Sequence, residues 1–94
     1  MYIDDIIWLA GVVEKLERKH HVSPEEAEEV FFDRPRVYFV ERGHVSGEDL
    51  YVALGQTDSG RYLSVFFICK PANVALVISA RDMDAAERKR YEHK

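Results

Sequence analysis

The sequence predicts an α+β domain: an N-terminal strand and two helices, an antiparallel four-stranded meander, and a C-terminal helix. Three observations predict it. Ser23-Pro24-Glu25-Glu26 is a helix start, with serine at the N-cap, proline at the first helical position and a glutamate placed to reach back to the cap amide. After Pro35, four segments rich in β-branched and aromatic residues alternate with turn residues. Asp84 followed by Glu87 repeats the capping signature and opens a short charged helix.

Taken in order, Tyr2 to Trp8 is short and apolar-rich and reads as the first strand. From Leu9 to Lys19 the residues Leu9, Val12, Val13 and Leu16 recur at helical spacing. One helix from Asp5 onward is the alternative, because Ile6, Leu9, Val13 and Leu16 keep that spacing and no proline interrupts them. The second helix starts at Pro24 with the apolar stripe Ala27, Val30 and Phe31; its acids sit near the positive end of the helix dipole and read as a solvated face. Strands are expected over Arg36–Arg42, Asp49–Thr57, Arg61–Lys70 and Asn73–Arg81, joined by turns at Asp58-Ser59-Gly60 and Pro71-Ala72-Asn73. Alternation of Leu50, Val52 and Leu54 with Tyr51, Ala53 and Gly55 leaves both faces fairly apolar, so helices must cover at least one. The last helix runs to about Tyr91, and no repeat or linker divides the single domain of residues 1–94.

Composition narrows the function. With 94 residues and 47% hydrophobic content, one core can be buried without staples. Cys69 is the one cysteine, which excludes an internal disulfide and fits a reducing cytoplasm, and its place in Val65-Phe66-Phe67-Ile68-Cys69 reads as a small buried hydrophobe. Charged residues at Asp4 and Asp5, then Glu14 and Lys15, interrupt the N-terminal apolar residues, so neither a secretion signal nor a membrane span is expected. A net charge of −4 argues against indiscriminate nucleic-acid binding. The charge is two-faced, however: Glu25, Glu26, Glu28, Glu29 and Asp33 form an acidic segment, whereas Arg18, Lys19, His20 and His21, and Arg81, Arg88, Lys89, Arg90 and Lys94, form basic ones.

The candidate chemistry begins with Val74-Ala75-Leu76-Val77-Ile78-Ser79-Ala80-Arg81, an apolar strand that delivers an arginine to a surface edge. A guanidinium held by a stiff strand suits a phosphate; the competing reading pairs it with a neighbouring carboxylate. His20 is the best acid or base because its ordinary pKa lies near neutrality, and Lys19 beside it can bind phosphate. A His at a helix C-terminus is also stabilised by the dipole without any catalytic role. Arg61 and Arg88 are further phosphate ligands by type, and Tyr91, Tyr51 and Tyr62 offer stacking surface. In the structural alternative, Tyr91 closes the core edge and Arg88 pairs with Glu87 or Glu92. No metal-ligand spacing, glycine-rich phosphate loop or nucleophile elbow is present, so no metal and no cofactor are expected.

Four segments in order carry a family resemblance: Trp8 before Lys19-His20-x-Val22-Ser23; Glu26-Ala27-x-Glu29-Val30-Phe31; Gly47-Glu48-x-x-Tyr51-Val52-Ala53-Leu54-Gly55; and Ile78-Ser79-Ala80-Arg81 with Glu87-Arg88 and Tyr91. In these the chain resembles the BrnT toxins of bacterial type II toxin–antitoxin systems, which are similar in fold to RelE/ParE toxins. It departs from the family at Val12 and Leu16, where lysine and asparagine are common, at Leu9 for an acid, at His21 for glycine and at Leu50 for arginine, which marks a divergent branch. The resemblance implies a RelE/ParE-like fold and metal-independent endoribonuclease activity on an RNA substrate. It also implies neutralisation by a cognate antitoxin, contact with DNA only through that antitoxin, and no membrane partner; it leaves a homodimer open. Such chemistry needs a base for the 2′-hydroxyl, cations for the phosphorane and an acid for the leaving oxygen. The expectation is that His20, Arg81 and Lys19 act catalytically and Arg61, Arg88 and Tyr91 bind substrate around one concavity. Two alternatives remain: an inactive antitoxin-binding co-repressor module, favoured by the acidic composition, and a gyrase-directed ParE-like toxin.

Overall fold

The computed structural model describes residues 1–93, so Lys94 of the second basic cluster lies outside the described residues. Five strands, β1 (Asp5–Ile7), β2 (Arg36–Glu41), β3 (Leu50–Gln56), β4 (Tyr62–Lys70) and β5 (Val74–Asp82), form one mixed sheet in the order β1-β5-β4-β3-β2. The contacts β2–β3, β3–β4 and β4–β5 are antiparallel. The first strand is shorter than the expected Tyr2–Trp8 and forms an edge of the sheet. Asp5, Ile6 and Ile7 run parallel to Val74, Ala75 and Leu76, and the Asp4 amide donates to the Asn73 carbonyl at 2.8 Å. This pairing overrides the helical spacing that admits one helix from Asp5.

Helix α1 (Ala10–Lys15) continues into a π-helical turn over Leu16–His20. The widened turn ends with His21 in the left-handed region at φ 54°, and the Val22 amide donates back to the Leu16 carbonyl at 3.2 Å. That closure drops Leu16 and Val22, both fully buried, into the core together. Helix α2 (Pro24–Phe32) has the capping box that its sequence dictates: Ser23 Oγ accepts from the Glu26 amide at 3.2 Å, and Glu26 Oε1 accepts from the Ser23 amide at 3.0 Å. Its stripe Ala27, Val30 and Phe31 packs on Ala53, Leu63, Val65 and Phe67, with Phe31 edge-on to Phe67 at 5.1 Å between centroids. The turn between β4 and β5 contains a pair of left-handed residues, Ala72 and Asn73, matching the twist of the two strands.

Both faces of the sheet are covered. Helices α1 and α2 lie on the face of Leu63, Val65 and Phe67, while α3 (Ala85–Glu92) crosses the face of Tyr62, Ser64 and Phe66. A glycine is required where α2 comes closest to β3: a Cβ on Gly55 would stand 2.8 Å from Val30 Cγ1. Among the described residues no helix is long and apolar enough to cross a membrane.

Candidate functional site

Consecutive strand residues point to opposite faces, and this rule divides the expected site. Arg81 is opposite Ser64 in the β4–β5 ladder and emerges on the α3 face, whereas Asp82, opposite Leu63, emerges on the face of α1 and α2. The expected single concavity is therefore replaced by two constellations around the end of β5.

On the α3 face, Arg81 Nη1 donates to Glu87 Oε1 at 2.6 Å and Nη2 to Glu87 Oε2 at 2.9 Å, a bidentate pair. Glu87 Oε1 also accepts from Ser64 Oγ at 2.9 Å and from the Asp84 amide at 2.9 Å, so the second capping box and the ion pair share one carboxylate. Burial pushes the Glu87 carboxyl up, but the hydrogen bonds from Arg81, the Asp84 amide and Ser64 outweigh it and hold the group below the usual carboxylate range. The bonds to Glu87 in turn raise the Arg81 guanidinium above its ordinary value. Arg88 stacks on Tyr62 with its guanidinium carbon 3.4 Å from the ring centroid and donates to Glu92 at 3.1 Å. Tyr91 packs edge-on to Tyr62 at 6.0 Å. Arg81, Arg88 and Tyr91 are thus brought together by α3, and both arginines have a carboxylate partner.

On the opposite face, Arg61 is a staple. Its Nε and Nη2 hold Asp82 at 2.7 and 3.2 Å, its Nη1 reaches the His21 carbonyl at 2.7 Å and Glu26 Oε2 at 3.2 Å, and Nη2 also reaches the His20 carbonyl at 3.0 Å. A guanidinium has five N–H donors, and all are used. In this arrangement Arg61 has no N–H left over for a phosphate. Its physical task is to close the π turn, whose last carbonyls have no helical partners. The hydrogen bond from Arg61 is the main reason that the Asp82 carboxyl lies below its ordinary value, with the charge of nearby His20 adding to the effect. His20 is half-buried at the turn's end and Lys19 beside it is exposed.

Sequence reasoning singled out neither Arg36 nor Tyr38, and placed Lys89 and Arg90 only in a basic cluster. Arg36, Tyr38, Ala86, Lys89, Arg90 and His93 line one groove of about 700 Å³ between α3 and β2. The available signal was the β-strand alternation that puts Arg36 and Tyr38 on one face. On the other side of the sheet, Glu25, Glu28, Glu29, Asp33 and Asp58 surround the exposed Phe32. Among the described residues no three His, Cys, Asp or Glu side chains converge as metal ligands.

A family model described as the ribonuclease toxin BrnT of type II toxin–antitoxin systems matches residues 8–87. The chain belongs to the BrnT family. A crystal structure of the Brucella abortus ribonuclease toxin BrnT is similar in fold: the TM-score is 0.65 at 20% identity, over 85% of this chain and 96% of that one. Among curated proteins, none matches the sequence. Several residues that carry the BrnT resemblance prove to be joints of the fold: Glu26 at the α2 cap, Gly55 under Val30, and Arg81 with Glu87 between β5 and α3. Trp8 is another, donating from Nε1 to Glu28 at 2.8 Å and tying the start of the chain to α2.

Proposed function

We propose that this BrnT-family protein is an endoribonuclease toxin that cleaves RNA without a metal and is silenced by a cognate antitoxin, on a RelE/ParE-like fold. The observation that carries the site assignment is the end of β5, where two neighbouring side chains leave on opposite faces of the sheet. Arg81 and Asp82 are adjacent, Arg81 leaves on one face, and Asp82 on the other is close enough to His20 to feel its charge. Strand β1 pairs only with Val74–Leu76, so the edge of β5 beside Arg81 is free of that neighbour. A ribose-phosphate lying across this strand end meets Arg81 from one side and His20 and Lys19 from the other. His20 takes the 2′-hydroxyl proton as that oxygen attacks phosphorus and gives a proton to the 5′-oxygen as its bond to phosphorus breaks, while Lys19 and the N–H groups of Arg81 not bound to Glu87 stabilise the charge on the phosphorane. Arg88 and Tyr91 offer charge and a ring to the flanking nucleotide, and Arg61 supports the turn that carries His20.

Induced expression tests this directly. Growth arrest and RNA decay with the wild-type chain, both lost in His20→Ala and Lys19→Ala variants that still fold, support the assignment. Equal toxicity in all three removes the site, and no toxicity from the wild type removes the activity. A second reading, an antitoxin-binding module without chemistry, is favoured by the carboxylates that occupy Arg61 and Arg81. It requires the wild type to be harmless while still binding its antitoxin.

A further inference from the structure

We propose that the groove between α3 and β2 binds the sugar-phosphate backbone of single-stranded RNA, apart from the strand end where cleavage is placed; the proposal rests on the ribonuclease reading and deepens it. Four side chains of basic type, Arg36, Lys89, Arg90 and His93, line the groove with Tyr38 and Ala86, and no acid is among the lining residues. Among the described residues, Arg36, Lys89 and Arg90 have no carboxylate within ion-pair distance, in contrast to Arg61, Arg81 and Arg88. Arg90 lies over the Tyr38 ring, 3.5 Å from its centroid. Stacking uses the face of the guanidinium and leaves its in-plane N–H groups directed outward, where they match phosphate oxygens as a fork. The tyrosine fixes the arginine's direction and so lowers the entropy lost on meeting an anion.

The surroundings select the polarity of the ligand. Helix α2, with Asp33 at its end and Asp58 in the turn after β3, carries the acidic surface of Glu25, Glu28 and Glu29 on the far side of the sheet, so a polyanion is repelled there and attracted to the α3 side. Helix α3 also carries Arg88, stacked on Tyr62, which places a second arginine–tyrosine pair on the same helix as Arg90. A strand of RNA can therefore run from the groove along α3 toward Arg81. Repeated cation and ring pairs favour single strands, whose unstacked bases can use aromatic faces.

The test titrates wild type with a short fluorescent 2′-O-methyl oligoribonucleotide, which the 2′-hydroxyl route cannot cleave, and measures cleavage of the unmodified strand separately. Lys89→Glu combined with Arg90→Glu is expected to weaken binding about tenfold or more and to lower the salt slope by about 0.7 for each phosphate that is no longer neutralised. Lys15→Glu combined with Arg42→Glu makes the same charge change on exposed residues outside the groove and is expected to alter binding by less than about twofold. Lys89→Gln with Arg90→Gln removes charge without opposing the helix dipole, and must weaken binding in the same direction. Equal losses in the groove and control pairs overturn the site, as does undiminished binding in both groove variants. If those variants bind and cleave like a wild type that degrades RNA, the groove falls and the ribonuclease reading stands. A wild type that neither binds nor cleaves overturns both, and a groove variant that loses only antitoxin binding reassigns the surface to a protein partner.

Discussion

Arg81 and Glu87 are joined by two parallel hydrogen bonds of 2.6 and 2.9 Å, so the guanidinium that ends β5 is also the anchor of α3. Replacing Glu87 by Gln keeps a side chain able to cap the helix but removes the countercharge. Stability is expected to fall by about 1–2 kcal/mol in urea denaturation. RNA affinity is expected to rise, because Arg81 is released. Loss of both together would mean that Arg81 serves only the fold.

Arg61 answers to two carboxylates and two carbonyls. Arg61→Ala leaves all four short of a partner and is expected to cost about 2–3 kcal/mol, read as a lower urea midpoint. Arg61→Lys restores the charge but not the fork, so it should recover only part of the loss.

Three carboxyls, Glu26, Asp82 and Glu87, are held below their ordinary values in the folded protein. The unfolded chain therefore takes up protons first as the solution is acidified, and the stability these groups provide is complete above the ordinary carboxylate range of about pH 4 and lost below it. Urea midpoints should hold from neutrality down to about that pH and then fall, with a shallower fall in Glu87→Gln.

His21 adopts φ 54° with an exposed side chain. His21→Gly removes the steric cost of the left-handed backbone, partly offset by the freedom glycine gains when unfolded. A net gain of about 0.5–1 kcal/mol, seen as a higher melting temperature, is expected.

Gly55 meets Val30 where α2 crosses β3. Gly55→Ala should destabilise by about 1–3 kcal/mol through overpacking, and Val30→Ala in the same chain should return part of it. A neutral Gly55→Ala would show that α2 is free to shift outward.

What could be read from the sequence was what the chain decides locally. Both capping boxes are four-residue signals, and Ser23–Glu26 and Asp84–Glu87 form as written. The strands from β2 to β5 follow their composition to within a few residues. The parallel place of β1 was not legible, because only the distant segment Val74–Leu76 settles whether Asp5–Ile7 is extended or helical. The π turn was hidden for a similar reason: it depends on Val22 reaching the core and on Arg61 receiving the last carbonyls. Strand parity separated Arg81 from His20, and the expectation of one concavity failed because it counted cations without asking on which face each emerges. Arg36 and Tyr38 escaped notice because their meaning comes from α3, whose groove residues follow them by more than half the chain.

The contact between β1 and β5 also sets an order of events. Asp4 and Asn73 are bonded although 69 positions apart, and Asp5 to Ile7 have no partner in the sheet until the ribosome has passed Leu76. Closing so large a loop is slow compared with forming a hairpin, and it comes after the hairpins that β2 to β5 can build among themselves. During synthesis the first strand therefore waits with its amides in water, and the β1–β5 edge of the sheet closes only after the hairpins are in place.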